Sequence, residues 1–123
     1  MKKVLWMASW YPSRLDMFNG DFIQRHARAV SLYCDVCVIY VVKDENKVWR
    51  EGSEELVTGN LRERIIYYHS PKTGIGVLDR YLSQQKYMRS FKRAIKEYIN
   101  TNGIPDQVHV HIAMKAGLAA LWA

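Results

Sequence analysis

Residues 35–42 restrict the possible folds more than any other stretch. Asp35 is followed by Val36-Cys37-Val38-Ile39-Tyr40-Val41-Val42, a β-branched, nearly all-apolar run bounded by charge. Such a run predicts a strand. Apolar side chains at both parities need cover on both faces, the condition of a strand inside a parallel sheet. The run is too short to cross a bilayer as a helix, which takes about 20 residues.

The remaining segments supply the partners that this strand needs. Lys3–Ala8 is a second continuous apolar run, ended by Pro12. From Asn19 the pattern turns helical, with Phe22, Ile23, Ala27 and Val30 at three- and four-residue spacing. Asn19 suits an N-cap, Asp21 suits the positive end of the helix dipole, and the helix is expected to fade near Tyr33. Residues 43–60 read as a polar excursion in which Val48-Trp49 offers a short strand. Residues 62–69 read as a third strand.

A long helix is predicted over 77–101, with Leu78, Tyr81, Leu82, Met88, Phe91, Ile95, Tyr98 and Ile99 on its apolar face. Lys86, Arg89, Lys92, Arg93 and Lys96 crowd the rest of its surface. Asn102-Gly103-Ile104-Pro105 stops it. Residues 107–112 make a fourth strand, and a small-residue helix is expected over 113–123. This order predicts a single α/β domain over 1–123: a Rossmann-like parallel sheet of about four strands with helices on both faces. The uncapped apolar end suggests an incomplete domain, with the fourth strand as an open edge inviting a non-native dimer.

Composition narrows the partners. Lys and Arg number 18 against 12 Asp and Glu, a net charge of +6, which favours anionic ligands. With 49% hydrophobic and 24% charged residues the chain is an ordinary globular one. The apolar run after Lys2-Lys3 is too short for a secretion signal, so a cytoplasmic location is expected. Cys34 and Cys37 match C-x-x-C in spacing only, because they lead into a strand rather than a helix N-terminus.

Two places invite chemistry. The first is Asn19-Gly20-Asp21, between a strand and a helix start. Unpaired N–H groups there attract anions, and a residue without Cβ lets a ligand approach the backbone. Equally, Gly20 serves simply to ease a turn. Neither G-x-G-x-x-G nor the P-loop pattern is present. The second is His109-Val110-His111, two imidazoles one pleat apart on the fourth strand. His111 is expected near the carboxyl end of that strand, where parallel sheets bind ligands, and His109 as a packed or inter-element histidine. H-x-H can start a metal site, but no carboxylate or cysteine cluster adjoins it in sequence, and no metal or other cofactor is assigned.

The blocks SWYPSRLDMFNGDFIQRHARAVSLYCDVCVIYVV and PDQVHVHIAMKAGLAALWA together resemble the amino-terminal domain of family 4 glycosyltransferases, nearest to bacterial members that build cell-surface polysaccharides. The resemblance covers about half the chain. It implies one Rossmann-like half of a GT-B enzyme that transfers a sugar, with retention, from a nucleotide-sugar donor to a glycan or lipid-linked acceptor, without a metal. It implies that Gly20, with Asp21 beside it, lines the cleft and that His111 contacts the transferred sugar. Arg25 and His26 follow as acceptor-side contacts. The carboxy-terminal donor half has no counterpart here, so these residues alone are expected to be inactive. The basic surface suits an acceptor carried on anionic lipid at the inner membrane face. A non-catalytic α/β binding or regulatory module, an H-x-H metal hydrolase and a nucleic-acid binder are the competing readings. Nucleic acid is disfavoured because the long helix's aromatics are assigned to its apolar face.

Overall fold

A computed structural model describes residues 2–8, 11–13, 21–44, 51–69 and 73–111. The elements are β1 (Lys3–Ala8), α1 (Asp21–Val30), β2 (Asp35–Lys43), β3 (Gly52–Thr58), β4 (Leu61–Tyr68), α2 (Gly76–Asn102) and β5 (Gln107–His111). They form one sheet in the order β3-β4-β2-β1-β5. β1, β2, β4 and β5 are mutually parallel, and β3 runs antiparallel to β4. Taken in chain order, the parallel strands lie 3-2-1-4 across the sheet, an order consistent with a Rossmann-like α/β sheet. β5 is outermost on its side among the described residues.

β2 behaves as its composition requires. Val36, Val38 and Tyr40 pack in the cluster that holds Ile23 and Ala27 of α1. Cys37, Ile39 and Val41 pack in the opposite cluster with Phe91, Ala94 and Ile95 of α2. Alternation along the strand therefore feeds two cores, one per face. The cysteines divide between them: Cys37 is buried on the α2 side and Cys34 packs on the α1 side. Burial pushes the Cys37 thiol up to about 11, so it stays protonated and unreactive at neutral pH.

Three expectations need correction. The sheet is mixed and five-stranded, not four-stranded and all parallel, because the 43–60 excursion contains β3. Its sequence, GSEELVT, lacks an apolar face and its side chains stay mostly exposed. Backbone pairing to β4, from Gly52 opposite Tyr67 to Thr58 opposite Leu61, makes it a strand. Gly59, at φ 58°, turns the chain between the two. Second, Leu78 and Tyr81 are exposed, and the buried residues of α2 are Tyr87, Phe91, Ala94, Ile95 and Tyr98. Third, an aromatic therefore does sit on the exposed part of α2. The expectations for Val48-Trp49, Asn19, Gly20 and the helix over 113–123 fall outside the described residues.

The exposed start of α2 has a geometric cause. At 27 residues the helix is about 40 Å long, whereas the nine residues of β2 span about 30 Å. α2 returns from the carboxyl end of β4 to begin β5, so it runs against the strands. Tyr87 meets Tyr68, the last residue of β4, at a ring distance of 6.2 Å. The turns before Tyr87 therefore reach past the carboxyl end of the sheet. Asp79 braces this end by accepting from the Thr73 N–H and hydroxyl at 2.7 and 2.8 Å. At the other end Gly103, at φ 80°, donates its N–H to Ile99. A Cβ there would meet nothing within 4 Å, so Gly103→Ala isolates the backbone cost. A loss of about 1 kcal/mol is expected from denaturant midpoints. An unchanged midpoint would show that this conformation is not a constraint.

Candidate functional site

The strand order brings β1 and β5 together with parallel carboxyl ends. β1 pairs with β2 on one side and β5 on the other, so the crossovers leave it in opposite directions. This is the switch point at which open α/β sheets form a crevice. His111 is the last residue of β5, and its backbone lies opposite Ala8, the last of β1. α1 begins at Asp21, on the chain's way back from that same end.

The other residues expected at the site separate. Asp21 and Arg25 stand one turn apart on α1 and form an exposed ion pair at 3.7 Å. Such pairs contribute little to stability, and both side chains stay open to solvent. His26 turns to the sheet, edge-on to the Trp6 ring at 5.2 Å and 84°. His109, in register with Trp6, lies over the same indole at 4.7 Å and 40°. Two imidazoles from separate elements thus cover a Trp6 ring that is 1% exposed. His109 is the inter-element histidine its position implied. His26 carries a packing contact that its place in the sequence did not reveal.

A buried polar network stands behind this corner. Tyr11, which follows β1, is fully buried and donates its hydroxyl to Glu63 Oε2 at 2.6 Å. The Gln24 amide of α1 donates to the same oxygen at 2.8 Å. Burial, with the Glu63 carboxylate adding to it, raises the Tyr11 phenol well above its ordinary value, so the donor keeps its proton. Glu63 ties the segment after β1, the first turns of α1 and the middle of β4 to one point. The signal was legible. Leu61, Glu63, Ile65 and Tyr67 share one parity of β4, and a carboxylate at an inward position needs buried donors.

A second polar pair was missed. Asp44, just past β2, has a side chain only 1% exposed and lies 3.7 Å from His69 Nε2, just past β4. The His69 N–H donates to Glu51 Oε1 at 2.7 Å. Lys86 also pairs with Glu51 and holds that carboxyl below the usual range. Asp44 and His69 both lie at the carboxyl ends of their strands, the end at which open α/β sheets commonly bind ligands. Adjacent parallel strands carry their terminal residues together, which residue spacing alone does not reveal.

Among the described residues, no group of three or more His, Cys, Asp or Glu side chains is placed to hold a metal ion. No family model, curated protein or solved structure matches the chain.

Proposed function

We propose that these residues form the acceptor-side, amino-terminal half of a retaining glycosyltransferase of the GT-B type. The observation that carries the reading is the switch point: the 3-2-1-4 order sets the end of β5, at His111, beside the end of β1. Of the two sequence blocks that resemble family 4 glycosyltransferases, one starts at Ser9, immediately after the end of β1, and the other contains the end of β5. In this reading His111 orients and polarises the transferred sugar, while Gly20 and Asp21 border the path of donor diphosphate and acceptor. Arg25, exposed one turn into α1, is available to an anionic acceptor group. His26 is shared between that path and Trp6. A second Rossmann-like half holds the nucleotide sugar and stabilises the leaving diphosphate by fixed positive charge and backbone donors. The acceptor is a glycan or a lipid-linked sugar, and the work is done in the cytoplasm.

The test is release of nucleoside diphosphate from a panel of nucleotide sugars in the presence of glycan and lipid-linked acceptors. It compares the polypeptide from the whole reading frame with residues 1–123 alone. Turnover is expected from the former and not from the latter. His111→Ala is expected to lower turnover by about 10²-fold with thermal stability unchanged. Turnover by residues 1–123 alone would refute the division of labour. Full turnover in His111→Ala would remove that residue from the mechanism.

A further inference from the structure

We infer that the groove between α2 and the β3–β4 edge is a binding site for a compact, soluble polyanion of the oligophosphate class. This goes beyond the transferase reading and does not rest on it. The groove has a volume of about 910 Å³. It stands at the β3 side of the sheet, whereas the switch point lies between β1 and β5, with β2 separating β4 from β1. The two are separate places on the molecule.

The lining of the groove is one-sided in charge. Arg64 of β4 and Lys86, Arg89, Lys92, Arg93 and Lys96 of α2 contribute to it. Two carboxylates, Glu51 and Glu97, stand with them, an excess of four positive charges in a chain whose net charge is +6. Both carboxylates are engaged, Glu51 by Lys86 and Glu97 by Arg64. Arg89 and Arg93, one helical turn apart and exposed, make no ion pair among the described residues. A guanidinium fork meets two phosphate oxygens at once, which a point charge cannot do. Ser90 adds a hydroxyl between the two arginines.

Three features decide the class of anion. The basic residues of α2 run from Lys86 to Lys96, a rise of about 15 Å, which suits several charges packed closely rather than spread along a chain. Tyr67 and Tyr68, the aromatics of the lining, are each 4% exposed and offer no face on which a base could stack, the usual hold on nucleic acid. Arg64 belongs to the sheet beneath the helix, with its side chain 21% exposed. A flat bilayer surface would meet the convex side of α2 and leave that depth unfilled. An oligophosphate is small enough to enter the groove and concentrates its charge where the arginines stand.

The test is calorimetric titration of the 123-residue chain with inorganic triphosphate and with orthophosphate, in phosphate-free buffer at constant ionic strength. Triphosphate is expected to bind at least about tenfold more tightly than orthophosphate and to weaken with salt. Arg89→Glu with Arg93→Glu is expected to weaken it by at least about 10²-fold. Arg89→Lys with Arg93→Lys keeps the charge but loses the forks, and a loss of about tenfold is expected. Arg28→Glu with Arg80→Glu makes the same change in net charge as the first pair, outside the groove, and is expected to weaken binding by less than about threefold. Circular dichroism should show all three variants folded, because these side chains are exposed. No nucleotide sugar or acceptor is present, so the outcome is independent of transferase activity. Equal affinity for the two anions, or an equal loss in Arg28→Glu with Arg80→Glu, would overturn the inference by showing attraction to net charge alone. Unchanged triphosphate affinity in Arg89→Glu with Arg93→Glu would do the same. Displacement of triphosphate by single-stranded DNA, polyglutamate or phosphatidylglycerol vesicles at equal charge concentration would overturn the assignment to a small soluble anion.

Discussion

Phe91→Ala should cost about 3–5 kcal/mol of unfolding free energy, the range for emptying a large aromatic site in a core that cannot collapse to fill it. Phe91 is fully buried in the α2-side cluster and meets Tyr87 edge-on at 5.3 Å. That cluster joins α2 to β1, β2 and β4. Small domains are stable by about 5–15 kcal/mol, so this single change consumes a large share. Urea unfolding followed by circular dichroism would measure it. Phe91→Leu, which restores most of the volume, should cost roughly half as much or less. A loss below about 1 kcal/mol for the alanine variant would mean that α2 is not held by this cluster.

Glu63→Ala should follow at about 2–4 kcal/mol, because it strands two donors that share one acceptor. The Tyr11 hydroxyl is buried and cannot turn to water, whereas Gln24 is only partly buried and recovers some hydration. Glu63→Gln keeps an acceptor oxygen and should cost less. The network also fixes a pH dependence. The native Tyr11 phenol lies above its unfolded value. Its contribution is therefore complete below about pH 10 and declines as the pH rises above that, where the unfolded phenol ionises and the native one does not. Tyr11→Phe removes this part of the alkaline loss and lowers stability at neutral pH by about 1.5–3 kcal/mol. Unfolding curves at neutral and alkaline pH separate the two effects. If Tyr11→Phe left both curves unchanged, Glu63 would not depend on Tyr11 as its donor. The loss should extend to the crevice, since Tyr11 anchors the chain as it leaves β1.

Legibility followed the range of the interaction that forms each feature. Lys3–Ala8 could be read directly, and β2 nearly so, because a continuous apolar run has to be buried on both faces. β3 could not, because GSEELVT owes its conformation to hydrogen bonds with β4 rather than to side-chain burial. Leu78 and Tyr81 have the right residue types for a packed face, but the sheet ends before it reaches them. That depends on the length of the strands, not on the pattern in the helix. Within the candidate site, the strand-end position of His111 followed from the element order. The packing of His26 and His109 on Trp6 did not, because it joins residues from three elements.

The sequence by itself determined the α/β class, the parallel character of the buried strands and the need for a helix on each face. These follow from hydrophobic periodicity, which acts over a few residues. Only the tertiary structure decided the lateral order of the strands, and with it the meeting of Ala8 and His111 at a switch point. It likewise decided that Glu63 would receive Tyr11 from 52 residues away. Such pairings arise when separately formed elements pack and each buried polar group has to find a partner across space.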